Sequence, residues 1–490
     1  MKRTLLLLAK SPLINSRTSN IFKLGFNCYQ FKKFDFFNKS CFQFSSSSGY
    51  EAFKQVQEVE KQFQEAIHNK NYEKSIQLLE EKIKLKVSSP NSSLLNDYRM
   101  LGEINQHLGK GQEALNAYEQ ALKLSIKLES KEVQALSLAD IAGIYYLSEN
   151  YQQAVGYFEE SIALLKQVKG EFHQDVGMGL LNLGESLVKN QDGNKAIQVY
   201  EEAKNIYNKL LQSDKLDQNA VFEFNRNKGL ACDALGSLKL QVGNFQESLE
   251  DLQIALGIYG EQFGPEDPIL VGTLTNLAIL YQSFRKEEDA LKIYQRALKI
   301  VDAHQNRIQP HEYLSLMLGC AKSYNNLGKF REAVEQFDKL ENATKEFQKN
   351  NQSLLPMIKG HKGFLLIQLE QFDLAKEQIQ EGLKILENAE FNIYKAILQT
   401  QLAHILLLRE QQFQKSFELA KESYDYISKL RKDDANCGDC LRIMGLATSA
   451  LGNKEETRKY LAQSLLILEK SGDRSEDVNK VKQDLVNISK

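Results

Sequence analysis

The chain has no tryptophan, and only six prolines and six cysteines in 490 residues. So few prolines leave little to break a helix. Cys28, Cys41, Cys232, Cys320, Cys437 and Cys440 are too sparse for a disulfide framework. Cys437-Gly438-Asp439-Cys440 has the spacing of a redox or half-zinc pair. No second pair follows and no histidine lies nearby, so both read as incidental residues at a helix start. No apolar run approaches the ~20 residues of a membrane span. Glycine-rich phosphate loops, HExxH, GxSxG and metal-ligand clusters are also missing. The seven histidines are scattered, and His361 and His404 fall in or beside packing positions. These absences point away from an enzyme: no catalytic residue, cofactor, metal or small-molecule substrate is expected.

What the chain has is a repeat. A pattern recurs nine times between residues 94 and 470, and such a period decides architecture before any local feature does. The clearest copy is LTNLAILYQSFRKEEDALKIYQRALKI, residues 274–300. Small anchors open each second helix at Ala114, Ala154, Ala196, Ser248, Ala290, Ala333, Ala375, Ser416 and Thr457. Twelve residues before them stand mostly Gly or Ala, such as Gly102, Gly184, Gly236 and Ala278; four after stand large residues such as Tyr118, Tyr200, Leu252 and Tyr294. Facing small residues let two antiparallel helices approach, and the large residue fills the seam. Gly109, Gly243, Gly328 and Gly452 sit where a first helix ends on a left-handed residue. The pattern predicts an all-α chain, a right-handed superhelical solenoid of about nine to ten antiparallel helix hairpins. Most anchors are 40–43 residues apart, but Ala196 and Ser248 are 52 apart. That excess, near residues 212–224, reads as a lengthened helix pair or a loop, not a domain boundary.

The ends differ from the middle. Residues 1–49 hold eight Lys or Arg and a single acid, Asp35, with phenylalanine at 22, 26, 31, 34, 36, 37, 42 and 44 and serine at 45–48. Basic, acid-poor and hydroxyl-bearing, this segment reads as a disordered mitochondrial transit peptide; a basic cytosolic tail and a secretory signal are the rival readings. Its removal leaves 54 basic against 63 acidic residues, a poor balance for nucleic acid. Residues 50–93 read as a degenerate first hairpin and 471–490 as a polar capping helix that covers the last apolar face.

The first helix of each hairpin is expected to line a concave groove that takes an extended peptide or helix of a partner. Its polar positions are Asn182, Glu185, Asn276, Gln282, Lys322, Asn325 and Asn326. An asparagine amide both donates and accepts, which suits a peptide backbone. In the seventh and eighth repeats the same positions turn apolar: Met357, Phe364, Ile367, Leu398, Ile405 and Leu408.

The small-and-large register resembles the tetratricopeptide repeat (TPR). The segment 264–300 resembles the repeat of kinesin light chains through Gly264, Pro268, Val271, Leu274, Asn276, Leu277, Ala278, Leu280, Tyr281, Ala290, Tyr294, Arg296, Ala297, Leu298 and Ile300. It departs at Asp267, where that family prefers histidine, and at Arg285, which replaces a turn glycine. Residues 51–68 are too short for the several heptads that tie such light chains to a motor. The resemblance implies a protein-interaction scaffold. The expectation is a non-catalytic mitochondrial scaffold, in the matrix or at the matrix side of the inner membrane. It would be a subunit or assembly factor of a large complex. A cytosolic light-chain-like cargo adaptor and an RNA-binding repeat factor are the alternatives.

Overall fold

The computed structural model describes residues 47–87, 92–304, 310–347, 354–431, 433–471 and 475–489. The segment read as a transit peptide lies outside these, except that 47–49 open the first helix. The described residues contain 21 helices and no strand. They fall into two compact units, divided along the chain between Pro265 and Glu266.

The first unit holds five hairpins. They are α1 (Ser47–His68) with α2 (Tyr72–Lys86), α3 (Ser92–His107) with α4 (Gly111–Lys127), α5 (Lys131–Leu147) with α6 (Tyr151–Lys169), α7 (Gln174–Lys189) with α8 (Gly193–Leu210), and α9 (Gln218–Val242) with α10 (Phe245–Phe263). The second unit holds α11 (Leu270–Ser283) with α12 (Glu287–Ala303), α13 (Pro310–Asn326) with α14 (Phe330–Phe347), α15 (Leu355–Gln368) with α16 (Phe372–Ile385), α17 (Ile393–Leu408) with α18 (Phe413–Leu430), and α19 (Ala435–Ala450) with α20 (Lys454–Ser471). The final helix α21 (Ser475–Ser489) lies on α20, where Val481 is buried with Leu461 and Leu468, and Arg442 Nε donates to Asp484 Oδ2 at 2.8 Å. Within each unit every hairpin packs on its neighbours in the chain, the order a repeat stack requires.

The anchors work as the register predicts. Ala114, Ala154, Ala196, Ala290, Ala333 and Ala375 are fully buried, and so are Tyr118, Phe158 and Tyr200 four residues after the first three. A β-carbon on Gly102 would lie 2.5 Å from Tyr118, and one on Gly236 2.5 Å from Leu252, so the large residue presses on the small one opposite. Where serine replaces alanine its hydroxyl is satisfied: Ser248 Oγ donates to Gly236 O at 2.6 Å and Ser416 Oγ to Ala403 O at 2.7 Å.

Every hairpin turns on a left-handed residue. Four are the expected glycines, Gly109, Gly243, Gly328 and Gly452, with φ from 69° to 87°. The other six are Lys70, Glu149, Gln191, Arg285, Glu370 and Gln411, with φ from 51° to 65°. The long interval is taken up by α9, which at 25 residues is lengthened at its N-terminal end. That end is held by Asp217, whose Oδ1 accepts from Ala220 N at 2.7 Å.

Adjacent hairpins are also joined by buried ion pairs. In the first unit Lys204 and Lys239 share Glu201 and Asp251 across α8, α9 and α10 at 2.5–2.9 Å. In the second, Glu341 of α14 receives Lys359 and Lys362 of α15, each at 2.8 Å, and Lys345 at 2.7 Å. Burial alone would raise the Glu341 carboxyl, but the three ammonium groups outweigh it and hold it at about 2.

Candidate functional site

The first helices carry the positions expected to face a partner, and the structure divides them. Glu185 is sealed inside the first unit, accepting from Tyr146 Oη at 2.9 Å and facing Tyr200 Oη at 3.5 Å. Asn182 and Asn276 are buried. Ile405, Leu398 and Ile367 belong to the core between the seventh and eighth hairpins. These six were expected at an open groove; burial corrects that reading. The cause is the neighbouring hairpin, whose side chains cover the inner ends of short-period positions that look free within one repeat. Met357 and Phe364 are half-buried against the α13–α15 core, and only Leu408 among the apolar set is well exposed.

Gln282, Lys322, Asn325 and Asn326 keep surface, all in the second unit on α11 and α13. Gln282 is held from three sides. Its Oε1 accepts from Tyr294 Oη at 3.2 Å, while Nε2 donates to Ser323 Oγ at 2.8 Å and approaches Glu287 Oε2 at 3.5 Å. Asn326 Nδ2 donates to Glu287 Oε1 at 2.8 Å. These two amides therefore tie α11, α12 and α13 together. The register had a signal for this: Gln106 and Tyr118 stand at the same positions and make the same bond, at 3.0 Å.

Lys322 and Asn325 are different. Asn325 Oδ1 is buried and accepts no hydrogen bond among the described residues. Lys322, one turn earlier on α13, is half-buried and makes no ion pair or hydrogen bond among them. Burial, with no carboxylate to oppose it, pushes its ammonium down to about 8. On α15, His361 stacks on Phe337 with ring centroids 5.1 Å apart. Burial, helped by the Lys322 charge, pushes this imidazole to about 3, so it is neutral at physiological pH. Sequence reasoning placed His361 among packed residues and overlooked that it faces Lys322. The arrangement offers one cation and one amide acceptor on the α13–α15 surface.

Cys437 and Cys440 are buried at the start of α19, and burial pushes both thiols to about 12. Cys440 Sγ lies 3.2 Å from Thr400 Oγ1. Such thiols are poor nucleophiles and poor metal ligands at neutral pH. Among the described residues no three His, Cys, Asp or Glu side chains gather as a metal site. No described helix is long and apolar enough to cross a membrane.

Comparison with known proteins agrees with the hairpins. The family description "Tetratricopeptide repeat" matches residues 91–167, 132–209 and 230–303, and "Anaphase-promoting complex subunit 5" matches residues 400–475. Kinesin light chain-related 3 of Arabidopsis thaliana is 24% identical over 372 residues, covering 73% of this chain and 54% of that protein. Kinesin light chain-related 2 of the same plant is 26% identical over 399 residues, covering 77% and 56%. This chain thus spans about half the length of the curated relatives it matches. Among solved structures, the APC/C hetero-tetramer Cut9-Hcn1 is 12% identical, covers 90% of this chain and 91% of that one, and has a TM-score of 0.39. The repeat register, the hairpins and the matched segments agree that the chain is a tetratricopeptide-repeat protein similar to the kinesin light chain type.

Proposed function

We propose that this protein is a non-catalytic scaffold of mitochondria, a subunit or assembly factor of a large complex. It holds its partner on the surface of α13 and α15. Tetratricopeptide repeats support protein interaction in general. The observation that carries the finer reading is the half-buried Lys322, near the Asn325 oxygen on the same helix, neither having a partner among the described residues. Buried charges are normally paired, so a partner segment with a carboxylate for Lys322 and an N–H donor for the Asn325 oxygen is the natural complement. The basic, acid-poor N-terminal segment supports the mitochondrial location.

The test is native-gradient fractionation of mitochondria from cells carrying the wild-type or the Lys322→Glu chain. The protein is followed by mass spectrometry and its first detectable residue recorded. Co-migration with one large complex, starting after about residue 40 and lost in the variant, is expected. Absence from mitochondria with Met1 retained refutes the location. Unchanged co-migration of the variant refutes the surface.

A second reading is a light-chain-like cargo adaptor outside mitochondria. Its support is the likeness to the two plant light chain-related proteins. The same fractionation separates the two readings.

A further inference from the structure

We draw no further inference here: the strongest candidate, the row of exposed apolar side chains Val87, Ile126, Leu128, Val168, Phe172 and Phe222 along the edge of the first unit where second helices end and the next first helices begin, lies among exposed charges of both signs, and nothing in the structure shows what covers it.

Discussion

A β-carbon placed on Gly184 of α7 would stand 2.6 Å from Cζ of Tyr200 on α8. Tyr200 is fully buried and so is held from behind. Its ring can yield only by moving the helix that carries it. Gly184→Ala is therefore expected to cost about 1–2 kcal/mol, the overpacking outweighing the ~1 kcal/mol that alanine adds in helix propensity. Gly193, which opens α8, faces nothing within 4 Å. Gly193→Ala should stay within about 0.5 kcal/mol of wild type. Urea midpoints of the two variants measure the difference, and equal midpoints would mean that the α7–α8 seam is loose.

Arg285 turns the α11–α12 hairpin at φ 59°, a conformation that disfavours an L side chain. Its side chain is exposed. Glycine there relieves the left-handed strain, offset in part by the added freedom of the unfolded chain. Arg285→Gly is expected to stabilise by about 0.5–1 kcal/mol. Thermal unfolding of the variant checks this, and a lowered Tm would show that the arginine makes up the strain elsewhere.

Glu341 is the shared acceptor of Lys345, Lys359 and Lys362. Glu341→Gln leaves Lys359 with Glu381 and Lys362 with Asp338, both partly exposed acids. The expected loss is about 3 kcal/mol, at the lower end for breaking a buried pair because each lysine keeps one partner. Chemical denaturation reads it. A neutral result would mean that solvent reaches the pair.

Acid acts on this fold through two kinds of group. His361 and His404 are pushed down to about 3 and about 4, by burial first and by nearby cations second. Above pH 6.5 neither the folded nor the unfolded state protonates them, and they leave stability unchanged. Between 6.5 and about 4 only the unfolded chain binds the protons, so stability falls as the pH drops. The Glu341 carboxyl, depressed to about 2, contributes fully above 4.5 and loses that contribution from 4.5 downward. Urea midpoints should therefore begin to decline near pH 6.5 and fall more steeply below 4.5. His361→Gln should flatten the upper part of that decline, and an unchanged profile would show that His361 is solvated.

The hairpins were legible because their register records packing within one repeat. Gly102 against Tyr118 and Gly236 against Leu252 are contacts twelve plus four residues apart, and most copies show both partners. Burial at the groove positions was not legible in that way. Glu185 is closed off by Tyr146 from the hairpin before it, and Gln282 is tied to Ser323 from the hairpin after it. Those contacts depend on which copies are neighbours. Lys322 was legible as a polar first-helix residue, but whether a described carboxylate reaches it depends on the neighbouring hairpins.

The buried ion pairs give the repeats an order. The apolar faces of the hairpins are built from the same few residue types, and any one could cover another. The charges are not interchangeable: Glu201 and Lys204 answer Lys239 and Asp251, while Glu341 answers Lys359 and Lys362. A hairpin docked one position out, or borrowed from another copy of the chain, would leave buried charges orphaned at several kcal/mol each. The ion pairs thus act as address labels, rejecting mispaired assemblies that the apolar seams alone would accept.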